Sequence, residues 1–442
     1  MPDDAVTATA RPSAPSVPQW TPGPRELDDL DLLVKHAFDP PLNGFTQPSS
    51  TAEELSVTLA TSAEAAEVAT AVGQLELVDP EGAPLALLTV TGTWPAGDGR
   101  VGLAGPVTLI APNVFGPFRR LYLSPGEVHR DHPADTLLAV AVRRPLSRAD
   151  IARIDEAARE RGKTVLLLVC AGHDMAQGVS GPALVRATRA AAAHVEAPTV
   201  VVVVAAADRG DEAGNERLLA RVASAYAPET IVLATVEPGA EEVAADLPED
   251  VAAIVSADRP ARDRQGVVFF FTGLSGSGKS TLARALTDSI LERGERTVTS
   301  LDGDVVRHHL SKGLGFSRED RETNILRIGF VAAEISRHGG VAICSPIAPF
   351  EATRAEVRRM VQGAGGGFVL IYVATPLEEC ERRDRKGLYA KARAGIIPDF
   401  TGISSPYEEP ADALKVDTTD RDIAECLEEI VDALTVEGWL RP

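Results

Sequence analysis

Gly273-Leu274-Ser275-Gly276-Ser277-Gly278-Lys279-Ser280 is the stretch on which the fold of this 442-residue chain turns. It has the form G-x-x-x-x-G-K-[ST], follows the apolar run Gly266 to Thr272, and opens into the helix-like run Thr281 to Arg293. The context matters as much as the letters. Glycines let the backbone curl so that consecutive N–H groups face inward, and the following helix adds its positive end. The expected result is a cradle for the β- and γ-phosphates of ATP, with Lys279 as a mobile positive charge and the Ser280 hydroxyl placed to ligate Mg²⁺. The loop leaves the phosphoryl acceptor open.

Downstream of the loop, strand-like runs recur at Thr297 to Leu301, Gly340 to Cys344 and Phe368 to Val373, with helical stretches between them. This predicts an α/β three-layer sandwich with a parallel sheet over residues 266–442. Upstream, the helical run Arg148 to Arg161 and the alanine-rich run Ala183 to Ala193 alternate with β-branched runs at Thr164 to Leu168, Thr199 to Val204 and Thr230 to Leu233. That pattern predicts a second parallel α/β domain over 125–240. Residues 25–124 carry short apolar runs, among them Leu85 to Val90 and Val107 to Ile110, and read as a β-rich module interrupted by a helix-like run from Ala52 to Val72. Residues 1–24, with Pro12, Pro15, Pro18, Pro22 and Pro24, read as a disordered tail, and 241–265, with Pro248 and Pro260, as a linker.

Hydrophobic residues make up 44% of the chain and charged ones 24%, the balance of a soluble globular protein of two or three domains. A formal net charge of -20 argues against general affinity for nucleic acid or an anionic membrane, which require a basic face. An anionic substrate therefore needs a local basic pocket. Cys170, Cys344, Cys380 and Cys426 are widely spaced and form no disulfide framework, and no apolar run approaches the ~20 residues of a membrane-spanning helix. With no secretory signal at the N-terminus, a cytoplasmic setting is expected.

Further motifs lie beyond the loop. They are Leu301-Asp302-Gly303-Asp304 with Arg307; Gly315-Phe316-Ser317 with Asp320-Arg321 and Asn324; Arg383-Asp384 and Lys386-Gly387-Leu388-Tyr389 with Lys391-Ala392-Arg393; and Phe400-Thr401-Gly402-Ile403 with Ser405-Pro406-Tyr407-Glu408. In order and spacing this part of the chain resembles the adenylyl-sulfate kinase family over nearly all of residues 266–442. The resemblance implies a P-loop NTPase fold and γ-phosphoryl transfer from MgATP to the 3'-hydroxyl of adenylyl sulfate.

It implies Lys279, Asp302 and Asp304 as catalytic residues, Ser280 and Asp302 as the Mg²⁺ ligands, and the loop with Thr281 and Arg382 as the ATP contacts. It also implies an acceptor pocket from Asp304, Arg307, Phe316, Arg321, Asn324, Ile347, Lys386, Leu388, Phe400 and Thr401, in which the two phenylalanines sandwich the adenine. The charged run Arg382 to Arg385 corresponds to the family's mobile lid, and a homodimer is expected. A lone phenylalanine in such a domain is ordinarily core, and only the surrounding motif reverses that reading. His308 and His309 lack acidic or thiol partners at ligand spacing and read as surface or packing residues.

Two departures narrow the mechanism. Many family members carry Ile-Ser-Pro-Tyr-Arg where this chain has Ile347-Ala348-Pro349-Phe350-Glu351, so a hydroxyl sometimes drawn into a phosphorylated intermediate is missing and direct in-line transfer is expected. Val305 replaces the usual Asn after Asp-Gly-Asp.

The N-terminal half resembles ATP sulfurylase more faintly, from Glu26-Leu27-Asp28-Asp29-Leu30-Asp31-Leu32-Leu33 through Leu42-Asn43-Gly44-Phe45, over roughly residues 25–240. This implies a PUA-like module followed by a nucleotidyltransferase-like domain. That family's Gln-x-Arg-Asn-Pro-x-His-x-x-His motif reads here Ala141-Val142-Arg143-Arg144-Pro145-Leu146-Ser147-Arg148-Ala149-Asp150, with both histidines lost. Its Gly-Arg-Asp-His-Ala-Gly loop is replaced by Ala234 to Gly239. The expectation is an inactive sulfurylase-like half. The alternatives are a bifunctional enzyme, a nucleotide-binding regulator without turnover, and a kinase of the same fold acting on another nucleotide or small alcohol.

Overall fold

The computed structural model describes residues 17–49, 54–231, 233, 246–315, 317–384 and 386–442, and the backbone alone of Asp304. The expected tail lies largely, and Phe316, Arg385 and the Ala234 to Gly239 loop wholly, outside the described residues. By compactness the chain divides into Met1–Arg259 and Pro260–Pro442.

In the C-terminal unit, strand β1 (Val267–Thr272) is followed by helix α1 (Lys279–Arg293), β2 (Val298–Leu301), α2 (Gly303–His309), α3 (Arg318–Arg337) and β3 (Val341–Cys344). Then come α4 (Glu351–Gly363), β4 (Gly367–Val373), α5 (Leu377–Arg383), α6 (Leu388–Arg393), β5 (Leu414–Val416) and α7 (Ile423–Val436). The strands form one parallel sheet in the order β2-β3-β1-β4-β5.

Every residue of β1 is buried, as expected of a central parallel strand covered on both faces. Val267, Phe269 and Phe271 pack with Leu282, Leu286 and Ile290 of α1 and Ile430 and Leu434 of α7. Val268 and Phe270 pack on the other side with Ile325, Ile328 and Ala332 of α3 and Val357 and Val361 of α4. Strand alternation thus divides one hydrophobic run between two helical layers.

The N-terminal unit joins a β-rich part to a parallel sheet. The long strand Arg100–Leu109 pairs antiparallel with Gly44–Phe45, Leu59–Ser62, Pro84–Thr89 and Gly92–Gly97. The parallel sheet runs in the order Thr199–Val204, Thr164–Cys170, Leu137–Val142, Glu229–Ile231. Leu75, Leu88 and Leu103 of the first part share one apolar cluster with Leu137, Leu166 and Val202 of the second, so the two parts have a continuous core.

Two expectations need correction here. Within Ala52 to Val72, Leu59–Ser62 is a strand, and the helix begins only at Ala63, where the Ser62 side chain accepts from Ala65 N and caps it. Inside the expected linker, Glu249–Asp258 is a helix that starts after Pro248 and buries Val251 against the cluster containing Ala183, Leu184 and Ala187. A weak apolar stretch with two prolines looks like a tether in sequence, and it becomes structure because one face finds a ready apolar surface. Among the described residues no helix is long and apolar enough to cross a membrane.

Candidate active site

The phosphate loop, Asp302 and Ser345 follow strands of the C-terminal sheet, the general position of sites in open parallel sheets. Gly273, Gly276 and Gly278 take φ of 142°, 77° and 103°, which lets the loop fold back on itself between β1 and α1. A Cβ on Gly273 would sit 2.5 Å from the Val373 carbonyl oxygen, so no larger residue fits there. Beneath the loop, the Ser277 carbonyl accepts from Thr375 Oγ1 and Thr418 Oγ1, both at 3.0 Å, and these hydroxyls lie 2.7 Å apart.

Lys279 opens α1 and is 6% exposed. Its Nζ donates to the Leu274 carbonyl at 2.6 Å. Burial pulls its pKa down from 10.5 to about 8; Cys380 and Asp302 oppose that displacement and Lys386 adds to it. Ser280 and Thr281 follow it, exposed, on the first turn. Loop backbone, cation and hydroxyl are therefore gathered at one helix N-terminus.

Asp302 follows β2, and its Oδ2 accepts from Ser345 Oγ, which follows β3, at 3.0 Å. Asp304 lies on α2, as does Arg307, whose Nη1 donates to the Gly315 carbonyl at 2.9 Å. Arg321 and Asn324 are one turn apart on α3, and Arg321 Nη1 donates to Thr401 Oγ1 at 3.2 Å. Asn324 is 4% exposed. Asn324 Oδ1 and Arg321 Nε are buried without a hydrogen-bond partner among the described residues. Buried polar atoms are rarely left unmatched, which sets these two apart.

Ile347 lies beside the end of β1, its carbonyl accepting from Thr272 Oγ1 at 2.7 Å. Phe400 makes an edge-to-face contact with Tyr389, ring centroids 5.0 Å apart. Leu388 opens α6, and Lys386 lies exposed between α5 and α6. A cleft of about 540 Å³ beside the loop is lined by Leu274, Thr375, Leu377, Ile403 and Tyr407, among others.

Arg382 pairs with Glu379 at 2.6 Å with a side chain 70% exposed, whereas Arg383 donates to Thr418 Oγ1 and to the Thr418 carbonyl, both at 2.8 Å. Ser345, Thr375 and Thr418 thus adjoin the loop or Asp302 although the sequence did not single them out, and Arg383 and Tyr389, quoted there only within motifs, join them. Ser345 follows β3 directly, Thr375 and Thr418 lie two residues beyond β4 and β5, and Arg383 bonds Thr418, so strand ends were the available signal for these four. His308 and His309 are exposed and in edge contact, and no group of three or more metal-binding side chains occurs among the described residues.

The charged groups of Arg143 to Asp150 in the N-terminal unit are engaged internally. Arg143 donates to both carboxylate oxygens of Glu212 at 2.6 and 3.1 Å. Arg144 pairs with Asp150 at 2.6 and 3.1 Å, while Ser147 and Asp150 form the capping box of helix Arg148–Arg161. Positions that would hold two imidazoles start a helix here.

The adenylylsulphate kinase family model matches residues 265–417. An adenylyl-sulfate kinase from a Synechococcus strain is 49% identical over 178 residues, which is 40% of this chain and 99% of the relative. A sulfate adenylyltransferase from Neosartorya fischeri is 49% identical over 191 residues, 43% of this chain and 33% of the relative. The chain thus spans about a third of the length of the fungal proteins it matches. A solved hexameric APS kinase from Thiobacillus denitrificans aligns over 96% of this chain and 94% of its own at 30% identity and a TM-score of 0.74. With one such kinase contained almost whole in the C-terminal segment's length and another matching end to end, the chain belongs to the adenylyl-sulfate kinase family.

Proposed function

We propose that the chain transfers the γ-phosphoryl group of MgATP to the 3'-hydroxyl of adenylyl sulfate, giving 3'-phosphoadenylyl sulfate and ADP. The observation that carries this reading is the pairing of a complete phosphate loop with an acceptor wall whose buried Asn324 Oδ1 and Arg321 Nε have no partner among the described residues. The chemistry belongs to residues 266–442.

Loop N–H groups and Lys279 bind the β- and γ-phosphates and stabilise the charge that spreads during transfer. Asp302 and Asp304 orient the attacking hydroxyl and receive its proton. Ser280 and Asp302, one hydroxyl and one carboxylate steadied by Ser345 at 3.0 Å, fit Mg²⁺, which takes few protein ligands and completes its shell with phosphate and water. When bound, the ion neutralises charge on the transferring phosphoryl group. Arg307, Arg321 and Lys386 hold the acceptor's anionic groups, while Asn324, Ile347, Leu388 and Thr401 shape its pocket. Phe400 stacks on its adenine. Phe316 is assigned the other face on the resemblance alone. Arg383 replaces Arg382 as the residue tying α5 to the loop. Ala348 is fully buried and offers no hydroxyl, which favours direct in-line transfer.

The Arg143–Glu212 and Arg144–Asp150 pairs support an N-terminal half without adenylyl transfer, serving a structural, regulatory or partner-binding purpose. The bifunctional alternative draws on the fungal relatives' name and is opposed by those pairs. A cytoplasmic homodimer is the accompanying proposal; light scattering distinguishes it from the hexamer described for the Thiobacillus protein. The deciding assay incubates the full chain with MgATP and either adenylyl sulfate or sulfate and identifies the products. Conversion of adenylyl sulfate is expected, without sulfate-dependent release of pyrophosphate from ATP. A folded, ATP-binding sample that leaves adenylyl sulfate unchanged refutes the reading.

A further inference from the structure

The phosphate loop and the acceptor's aromatic contact meet on one side chain. Tyr389 is the second residue of α6 and is 3% exposed. Its hydroxyl donates to the Ser275 carbonyl at 2.8 Å, and its ring meets Phe400 edge to face, centroids 5.0 Å apart and planes at 77°. Its backbone is fixed as well. Asp384 Oδ1 accepts from Tyr389 N, and Asp384 Oδ2 from Ala390 N, each at 3.1 Å.

The Ser275 carbonyl shares a planar trans peptide with the N–H of Gly276. Holding that oxygen outward therefore aims the Gly276 N–H to the opposite side. Gly276 has φ of 77°, and without a side chain its neighbouring peptide is free to rotate unless something outside the loop restrains it. The Tyr389 hydroxyl is such a restraint. Phe400, in turn, limits where the Tyr389 ring can sit, and an adenine stacked on Phe400 limits Phe400.

We infer that Tyr389 is a positioning residue that couples the two substrate sites, so that acceptor stacking on Phe400 steadies the donor loop through the hydroxyl on Ser275. The inference rests on the assignment of Phe400 to the acceptor under the proposed function. Coupling between two sites is reciprocal: adenylyl sulfate tightens nucleotide binding by the factor by which nucleotide tightens adenylyl sulfate. One neutral hydrogen bond corresponds to a factor of about two to ten.

The test is calorimetry on the full chain, with a non-hydrolysable ATP analogue and Mg²⁺ titrated in the presence and absence of saturating adenylyl sulfate. The readout is the ratio of the two dissociation constants. In Tyr389→Phe the ring contact remains and the hydroxyl is lost, and the ratio falls about twofold to tenfold toward one. A residue with only a structural role would weaken both titrations and leave the ratio where it was. Tyr389→Phe with the wild-type ratio overturns the inference. Should Tyr389→Phe fail to fold, Phe400→Leu breaks the same path from the acceptor side, and an unchanged ratio there is equally decisive. Wild-type protein that does not bind adenylyl sulfate overturns the proposed function and this inference together; binding with a ratio independent of Tyr389 overturns the inference alone.

Discussion

Lys279 makes nucleotide binding a proton-linked event. Burial carries its pKa from 10.5 to about 8, a displacement corresponding to about 3 kcal/mol in favour of the neutral amine. At pH 8 about half of the empty protein carries an uncharged Lys279, and at pH 6.5 only about 3% does. Arrival of a polyphosphate replaces the Leu274 carbonyl as its partner and restores the ammonium. Binding at pH 8 should therefore take up about half a proton per nucleotide, and binding at pH 6.5 almost none from this group.

Calorimetric titration in two buffers of different ionisation enthalpy measures that uptake directly. Lys279→Arg keeps the positive charge but removes the titration, so its uptake at pH 8 should vanish. Equal uptake by wild type and Lys279→Arg, or none in wild type at pH 8, refutes the reasoning. The sign for stability follows from the same displacement. The folded pKa lies below the unfolded one, so this lysine costs stability below pH 8, and the cost is relieved as pH rises from about 8 to 10.5.

Other consequences of the geometry can be checked separately. Phe400→Ala should raise KM for adenylyl sulfate by about 5- to 150-fold, since base–aromatic stacking contributes roughly 1–3 kcal/mol, and KM for ATP by no more than the coupling factor of about two to ten; steady-state kinetics with each substrate varied decides it. Arg383→Ala should reduce kcat/KM for ATP by about tenfold through loss of the Thr418 contacts, whereas exposed Arg382→Ala should stay within about twofold. Arg354 is 1% exposed and donates to the Ala348 and Glu408 carbonyls at 2.8 Å each and to Glu351 at 2.6 Å. Arg354→Met leaves the Glu408 carbonyl and the Glu351 carboxylate without this donor, while the Ala348 carbonyl keeps Thr272 Oγ1 at 3.2 Å, and should lower unfolding free energy by about 3 kcal/mol in chemical denaturation, with Arg354→Lys recovering part of it.

Local chemistry made much of this protein legible in its sequence. The run from Val267 to Thr272, the glycines at 273, 276 and 278, and Lys279 declare strand, loop and helix together, because each needs only its neighbours to define it. Helix Arg148–Arg161 and strand Thr199–Val204 were readable for the same reason: periodicity and caps act within a few residues. Glu249–Asp258 was not, since its helicity depends on an apolar surface supplied by residues near 183–187.

The site divides in the same way. Residue types near a motif revealed which groups can bind phosphate, and composition alone required that they form a local pocket. The contact of Arg383, rather than Arg382, with Thr418, the burial of Asn324 Oδ1 without a partner among the described residues, and the double contact of Tyr389 arose only in three dimensions. Adjacent arginines on a short helix are alike in sequence, and they differ only through which one faces Thr418. Likewise, the sequence showed that Asp150 stands where a histidine is expected, but only packing shows it capping a helix and pairing with Arg144. Sequence determines which interactions a residue is able to make; the tertiary structure selects among them, because hydrogen bonds and stacking act over a few ångströms between groups that the chain separates by tens to hundreds of positions.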